Sequence, residues 1–115
     1  CLLGLFLVAP AVAGPADVTS VSVAMSGPGQ YRFSVTVRHA DEGWDHYADR
    51  WEVLHPDGTL LGTRTLYHPH VNEQPFTRDL SGVSIQDDIT TVLVRAHDSV
   101  HGFSGVTQTL TLPGR

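Results

Sequence analysis

The 115-residue chain has 12 acidic residues and seven basic ones, all arginine, and therefore a net charge of −5 with histidine neutral. This acidic balance, without a basic cluster, argues against binding to nucleic acid or to anionic membrane surfaces. Seven histidines stand beside one cysteine and one methionine. A metal site in this chain would therefore use imidazole and carboxylate ligands.

The N-terminal run CLLGLFLVAPAVA is apolar and uncharged, and it ends in the small-residue pattern Ala11-Val12-Ala13. Such a run is too short to span a bilayer and is typical of a secretory signal peptide. We predict a signal peptide over residues 1–13, truncated at its N-terminus and cleaved after Ala13. Cys1 opens the apolar run, whereas a lipid-attachment cysteine would follow it. The predicted location is the periplasm or the outside of the cell.

The remaining residues, 14–115, have the length of one domain with one core. They contain no cysteine, so neither a disulfide nor a thiolate ligand is available to them. No further apolar run is long enough to span a membrane. With no disulfide to add stability, the core must come from packed sheet.

The first two predicted elements are strands with a period of two. VSVAM places Val21, Val23 and Met25 on one face. SGPGQ then supplies a turn, and YRFSVTVRH gives the clearest strand. Its inward positions are Tyr31, Phe33, Val35 and Val37, and His39 follows in the same phase at the last position of the strand.

The later segments continue this pattern. RWEVLHPDGTLLGTRTLY reads as a hairpin that turns at HPDG, PFTRDL as a short strand and SGVSIQDD as a connecting loop. ITTVLVRAHD and VTQTLTL are the last two strands. The residues predicted to face the core in these segments are Trp51, Val53, Val92, Val94, Ala96, Val106, Leu110 and Leu112.

Seven short strands without helical periodicity predict an all-β fold, a seven-stranded antiparallel two-sheet sandwich. ITTVLVRAHDSVHGFSG followed by VTQTLTL resembles the last strand pair and loop of fibronectin type III and bacterial immunoglobulin-like domains. Trp51 resembles the core tryptophan of these sandwiches. The resemblance implies an immunoglobulin-like domain, and it implies no particular function because such folds host many.

The histidines collect at one end of the predicted sandwich. In an antiparallel course the connections after the second, fourth and sixth strands share one end, where binding sites are commonly built. Only His55 belongs to the opposite end. The histidines of the shared end are His39, His46, His68, His70, His97 and His101, and the acidic residues beside them are Asp41, Glu42, Asp45, Glu73 and Asp98.

The HPH motif is the first candidate for chemistry. Pro69 restricts its own backbone and favours an extended His68, so His68 and His70 should project to the same side about 6–7 Å apart at Cα. The motif HDSVH adds a second pair of histidines from the next loop.

These histidines predict a divalent-metal site, for Zn(II) or Cu(II) in the first place. The acidic neighbours could accept hydrogen bonds from the imidazole ligands, and Asp98 could ligate directly. The ligands we expect first are His68, His70, His97 and His101, followed by His39, His46 and Asp98.

Other interpretations stay open. A loop histidine is often only a solvated polar residue, and His39 could cap the core through a hydrogen bond. Trp44, Tyr47 and Tyr67 could instead anchor a protein or glycan, which would make the chain a non-catalytic recognition module with an unknown periplasmic partner. No catalytic residue is assigned. Superoxide reductases carry a histidine-rich iron site on a similar sandwich, but that site needs a cysteine ligand, which residues 14–115 lack.

Overall fold

The computed structural model describes residues 14–115, and the predicted signal peptide therefore lies outside the described residues. The described part contains seven strands and no helix. The strands are β1 (Asp17–Gly27), β2 (Gln30–Arg38), β3 (Ala48–Leu54), β4 (Leu60–Thr65), β5 (Phe76–Ser84), β6 (Thr91–Asp98) and β7 (Gln108–Thr111).

The strands form two antiparallel sheets. One sheet has the order β1-β2-β5 and the other has the order β4-β3-β6-β7. The prediction of an all-β, two-sheet sandwich is confirmed. No helix between residues 14 and 115 is long and apolar enough to cross a membrane.

The core lies between the inner faces of the two sheets. The alternating residues of YRFSVTVRH that were predicted to face inward are all buried, as are Trp51 and Val53 of β3. Val92, Val94 and Ala96 of β6, the neighbour of β3 in the same sheet, extend this inner face. The period-two pattern of the sequence thus predicted the central strands correctly, because each of them has one face on the core.

Two residues predicted to face the core are exposed instead. Val106 is 57% exposed because it precedes β7, where the strand alternation does not apply. Its backbone is held by the start of β1, through hydrogen bonds with Val18 and the Asp17 side chain. Met25 is 51% exposed at the end of the edge strand β1, where the register with β2 shifts.

The stretch predicted as a loop after PFTRDL belongs in part to β5, which continues to Ser84. Two residues of β5 face one residue of β2 between the pairs Tyr31–Val83 and Phe33–Leu80. Gly82 adopts a φ of 69° within this bulge, a conformation that glycine adopts without steric cost. The bulge shifts the alternation by one residue and thereby hides the second half of the strand in the sequence.

Hydrogen bonds between loops show which connections share an end of the sandwich. Ser99 donates to Tyr47 O, which joins the β6–β7 connection to the β2–β3 connection. His70 donates its backbone N–H to Asp41, which joins the β4–β5 connection to the same group. We call this the histidine end, made of the connections 39–47, 66–75 and 99–107. His55 lies in the β3–β4 turn at the other end, as predicted.

Candidate metal centre

Asp98 is the last residue of β6, and its side chain is fully buried. Its Oδ1 accepts the backbone N–H groups of Val100, at 2.7 Å, and of His101, at 2.5 Å. Asp98 and Gly102 also exchange two backbone hydrogen bonds of 3.0 Å across a tight turn in which Gly102 has a φ of 70°. These bonds are typical of aspartate at a turn, and they fix the direction of Oδ2.

Three imidazole nitrogens converge on that Oδ2 atom. His39 Nε2 lies 2.9 Å away, His46 Nε2 3.1 Å and His101 Nδ1 2.9 Å. The ligand atoms of His39, His46 and Asp98 all lie within 4.8 Å of one another. A carboxylate oxygen has two lone pairs, so three imidazoles are one more than it can satisfy as separate donors.

The position of His39 follows from the strand alternation of β2. It continues the buried series beyond Val37 and is only 2% exposed. Its backbone N–H donates to Gln74 Oε1 at 2.9 Å, and its Nδ1 lies 2.5 Å from Asp41 Oδ1. Both ring nitrogens therefore face a carboxylate, and these two contacts orient the ring in the site.

His46 is placed by a compact turn in the β2–β3 connection. Glu42 donates its N–H to His46 O at 2.8 Å, and His46 donates to Gly43 O at 3.2 Å. Gly43 supplies the positive φ of 109° that the turn requires. The Nδ1 atom of His46 then lies 2.8 Å from Glu42 Oε1, while Nε2 points to Asp98.

Asp41 connects the centre to its surroundings. Its Oδ1 accepts the Ala48 N–H at 3.1 Å as well as facing His39, and its Oδ2 accepts the His70 N–H at 2.6 Å. Burial by itself would raise the pKa of Asp41, but the hydrogen bonds from His39, His70 and Ala48 outweigh it and the pKa is lowered. Asp41 is therefore a charged acceptor behind His39.

The same balance applies to Asp98 and His39. Burial opposes the charged form of Asp98, but hydrogen bonds from His101, Val100 and His46 hold its pKa well below the ordinary value. Burial likewise lowers the pKa of His39, but the hydrogen bonds and charges of Asp41 and Asp98 outweigh it, and the net shift is upward. The two buried carboxylates therefore favour positive charge at His39.

The donor set fits a divalent ion. With ligand bonds of 2.0–2.1 Å, two ligand atoms of tetrahedral Zn(II) are about 3.3 Å apart. The three N–O distances of 2.9, 3.1 and 2.9 Å are slightly below that spacing, and the ligand atoms of His39, His46 and Asp98 form the group that lies within 4.8 Å. The carboxylates behind His39 and His46 correspond to the acceptors that usually orient metal-bound imidazoles.

The structure does not bring His97 to this cluster. Successive strand residues point to opposite faces of a sheet, and on β6 it is Asp98 that points inward. His97 faces outward, where its Nδ1 lies 2.6 Å from Asp49 Oδ1 and its ring packs edge-on against Phe103. The HDSVH motif therefore contributes Asp98 and His101 to the centre.

His68 and His70 lie beside the cluster and not in it. Their ring centroids are 4.8 Å apart, on the same side of the chain as the alternation predicted. The His70 ring stacks on Phe76 at 4.1 Å. Burial and the nearby charges of Arg78 and His68 lower the pKa of His70. His70 is connected to the centre through Asp41 and through Gln74.

Some residues of the site were predicted only in general terms. The acidic residues of this end were expected as hydrogen-bond acceptors, and the structure gives that role to Asp41 and Glu42. Glu73 pairs with Arg78 instead. Gln74, which joins His39 to the His70 carbonyl, was not singled out, because nothing in its sequence context distinguishes it from a solvated loop amide.

The chain is similar in sequence to a protein of known name. Over 90 residues the chain is 41% identical to a protein of Halomicrobium mukohataei named "Putative lipoprotein". The match covers 78% of this chain and 44% of the relative, so the chain spans less than half of that protein. No protein-family model and no solved structure matches the chain.

Proposed function

We propose that this chain is an exported β-sandwich domain that binds a divalent metal ion, Zn(II) or Cu(II), through His39, His46, His101 and Asp98. One observation carries the proposal: three imidazole nitrogens surround a single oxygen of a fully buried aspartate. A cation at this point would be a common partner for all four groups. It would also replace the crowded protons between them.

The export of the protein is supported by two independent features. The apolar run over residues 1–13 has the sequence of a signal peptide. The Halomicrobium relative carries the name of a lipoprotein, a class that is secreted and anchored by lipid. An exported domain meets extracellular or periplasmic metal ions directly.

The immunoglobulin-like character of the domain is supported by its strand order. Three strands in the order β1-β2-β5 face four in the order β4-β3-β6-β7. Trp51 of β3 is fully buried between these sheets, as in the sandwiches that the sequence resembles. The centre then lies on the loops at one end of the sandwich, where immunoglobulin-like domains commonly carry their binding sites.

The exposure of the centre suits reversible binding. His39 and Asp98 are fully buried in their side chains, and His46 is nearly so, whereas the His101 side chain is 37% exposed. His101 is therefore the ligand that an ion from solvent would meet first. A carrier, buffer or sensor of metal ions needs this combination of a fixed inner set and an accessible ligand.

Equilibrium dialysis of the domain 14–115 against micromolar free Zn(II) or Cu(II) near pH 7.5 tests this function. Wild type should bind at least one ion tightly, and His46→Ala should lose that ion. His55→Ala, in the β3–β4 turn at the other end, is the matched control and should bind as wild type does. Retention of the tight ion by His46→Ala, or less than one ion on wild type, would refute the proposal.

A second candidate function is recognition of a protein or glycan by the same loops. Trp44 is 67% exposed and Tyr67 is 74% exposed at the histidine end, and Trp44 packs edge-on against Tyr47 at 5.6 Å. Exposed aromatic side chains are frequent anchors of binding surfaces. The test measures binding of a protein or glycan in the presence of a metal chelator. Binding that persists in the double variant His68→Ala/His70→Ala but is lost in Trp44→Ala would favour this function.

A further inference from the structure

His70 has two buried ring nitrogens without a hydrogen-bond partner. The side chain is 5% exposed, and neither Nδ1 nor Nε2 has an acceptor or donor within reach. A neutral imidazole carries one N–H and one lone pair, so a buried ring of this kind leaves both unsatisfied. Such a group points to a ligand that would occupy at least one of the two nitrogens.

The neighbour of His70 presents a further free nitrogen. The Nδ1 atom of His68 lies 3.2 Å from Pro69 O and can donate its proton to that carbonyl. This tautomer leaves the lone pair on His68 Nε2, which is the form that binds a metal. The two rings are 4.8 Å apart at their centroids and inclined by 38°, so the two imidazoles are close neighbours.

Asp41 stands behind His70 as it stands behind His39. Its Oδ1 faces His39 Nδ1 at 2.5 Å, and its Oδ2 lies 4.0 Å from His70 Nδ1. If the His70 ring moves toward Asp41 when an ion binds, Nδ1 can donate a hydrogen bond to this oxygen. His70 would then have the arrangement already present at His39 and His46, with a carboxylate at Nδ1 and Nε2 directed to an ion.

We propose that His68 and His70 form a second divalent-metal position, outside the first centre and linked to it through Asp41. Two imidazoles with water as the remaining ligands suit Cu(II), Ni(II) or Zn(II) and hold the ion more weakly than four protein ligands do. Because His68 is exposed, this outer position is open to solvent. It gives an arriving ion a first binding place next to the buried centre.

This inference extends the proposed function, but its ligands are separate, so the two can fail independently. Metal-free protein is titrated with Cu(II), and the bound ions are counted and examined by electron paramagnetic resonance. Wild type should bind a tight ion and a weaker one, and the weaker ion should show two nitrogen ligands. His46→Ala should lose the tight ion only.

His68→Ala should lose the weaker ion and keep the tight one, as should His70→Phe, whose ring can still stack on Phe76. His55→Ala should keep both ions. A weaker ion that persists in either variant, or that shows one nitrogen ligand in wild type, overturns the inference, as does a wild type whose single ion is lost in His46→Ala and kept in His68→Ala. Near-ultraviolet circular dichroism shows whether His70→Phe folds. If it does not, the His68→Ala variant and the number of nitrogen ligands on the weaker ion decide the test.

Discussion

Asp98 receives more hydrogen-bonding groups than any single role would require. Two backbone N–H groups contact Oδ1 and three imidazoles contact Oδ2. The first set fixes the carboxylate in the β6–β7 turn, and the second collects side chains from two loops. Its substitution should therefore affect both the stability of the metal-free domain and the affinity for metal.

We expect Asp98→Asn to lower the free energy of unfolding of the metal-free protein by about 3–5 kcal/mol, the usual cost of removing one partner from a buried charged network. Denaturant unfolding in chelator at pH 6 measures this. Asp79→Asn, at an exposed position on β5, is the control. A loss within about 0.5 kcal/mol, as at an ordinary surface position, would contradict the assigned role.

The stability difference between wild type and Asp98→Asn should depend on pH in a defined direction. The pKa of Asp98 is lowered on folding, so its contribution is present above about pH 4 and is lost as the pH falls further. The pKa of His39 is raised, so its contribution is present below about pH 6.5 and is lost as the pH rises through the folded value. In denaturant unfolding with chelator, the difference in the free energy of unfolding between wild type and Asp98→Asn should be largest between about pH 4 and pH 6.5. A difference that grows below about pH 4 would contradict this assignment.

Glu42 should act on metal affinity without being a ligand. Its Oε1 lies 2.8 Å from His46 Nδ1, on the side of the ring away from Asp98. We expect Glu42→Gln to weaken metal binding by about tenfold, at the low end for an orienting carboxylate because the side chain is half exposed. Chelator competition measures the change. Glu73→Gln, which alters only the pair with Arg78, should leave the tight ion unaffected.

At the scale of the strands, the sequence pattern was informative wherever one face of a strand lies on the core. β2 is the clearest case, since its alternation located both the core residues and the inward His39. The pattern failed at β5, where the bulge changes the phase, and at Val106, which lies outside β7. Alternation describes a regular ladder and carries no information about where a ladder is interrupted.

The sequence predicted the end of the sandwich at which the candidate site lies, and its expected ligands included all four groups of the proposed centre. It did not separate them from His68, His70 and His97. The connection rule placed six histidines together, because it needs only the strand order. The inward phase predicted for Val92, Val94 and Ala96 separates Asp98 from His97 when it is continued to the end of β6, whereas the role of Gln74 required the fold of the loops. Contacts between loops of different connections are tertiary, so no local pattern records them.

The β5 bulge offers a test of the fold that should leave the metal centre unchanged. Gly82 has a φ of 69°, which costs an alanine about 1–2 kcal/mol. Gly82→Ala should therefore lower Tm by several degrees, while Gly27→Ala, where a methyl group would meet Gln30 at an ordinary contact distance of 3.8 Å and φ is not positive, should change it less. Equal effects of the two substitutions on Tm would contradict the bulge. Loss of the tight ion in Gly82→Ala would contradict the independence of the metal centre from the bulge.

At the scale of the whole molecule, a bound metal would link the β2–β3 connection to the β6–β7 connection. The two sheets hold each of these loops only where the loop begins and ends. An ion bound to the native state alone stabilises it by about 2.7 kcal/mol at a free concentration 100 times Kd. We expect Zn(II) to raise Tm at pH 7.5 and a chelator to reverse the shift. The shift should be absent in His46→Ala.

Acidification should remove this stabilisation, because protons compete with metal for imidazole nitrogen. Since the pKa of His39 is raised above its ordinary value of 6.5, competition should begin above the pH at which a free histidine would compete. Scanning calorimetry with and without Zn(II) between pH 5 and 8 measures the effect as the difference in Tm. A metal-induced shift that is constant down to pH 5 would contradict imidazole ligation.

The most direct test of the central claim is an anomalous difference map of crystals grown with one equivalent of Zn(II). A single dominant peak is expected between His39 Nε2, His46 Nε2, His101 Nδ1 and Asp98 Oδ2, about 2.0–2.2 Å from each atom. A dominant peak elsewhere, or none on this chain with the four side chains still gathered by hydrogen bonds, would show that the cluster is a proton-filled structural network and not a metal centre.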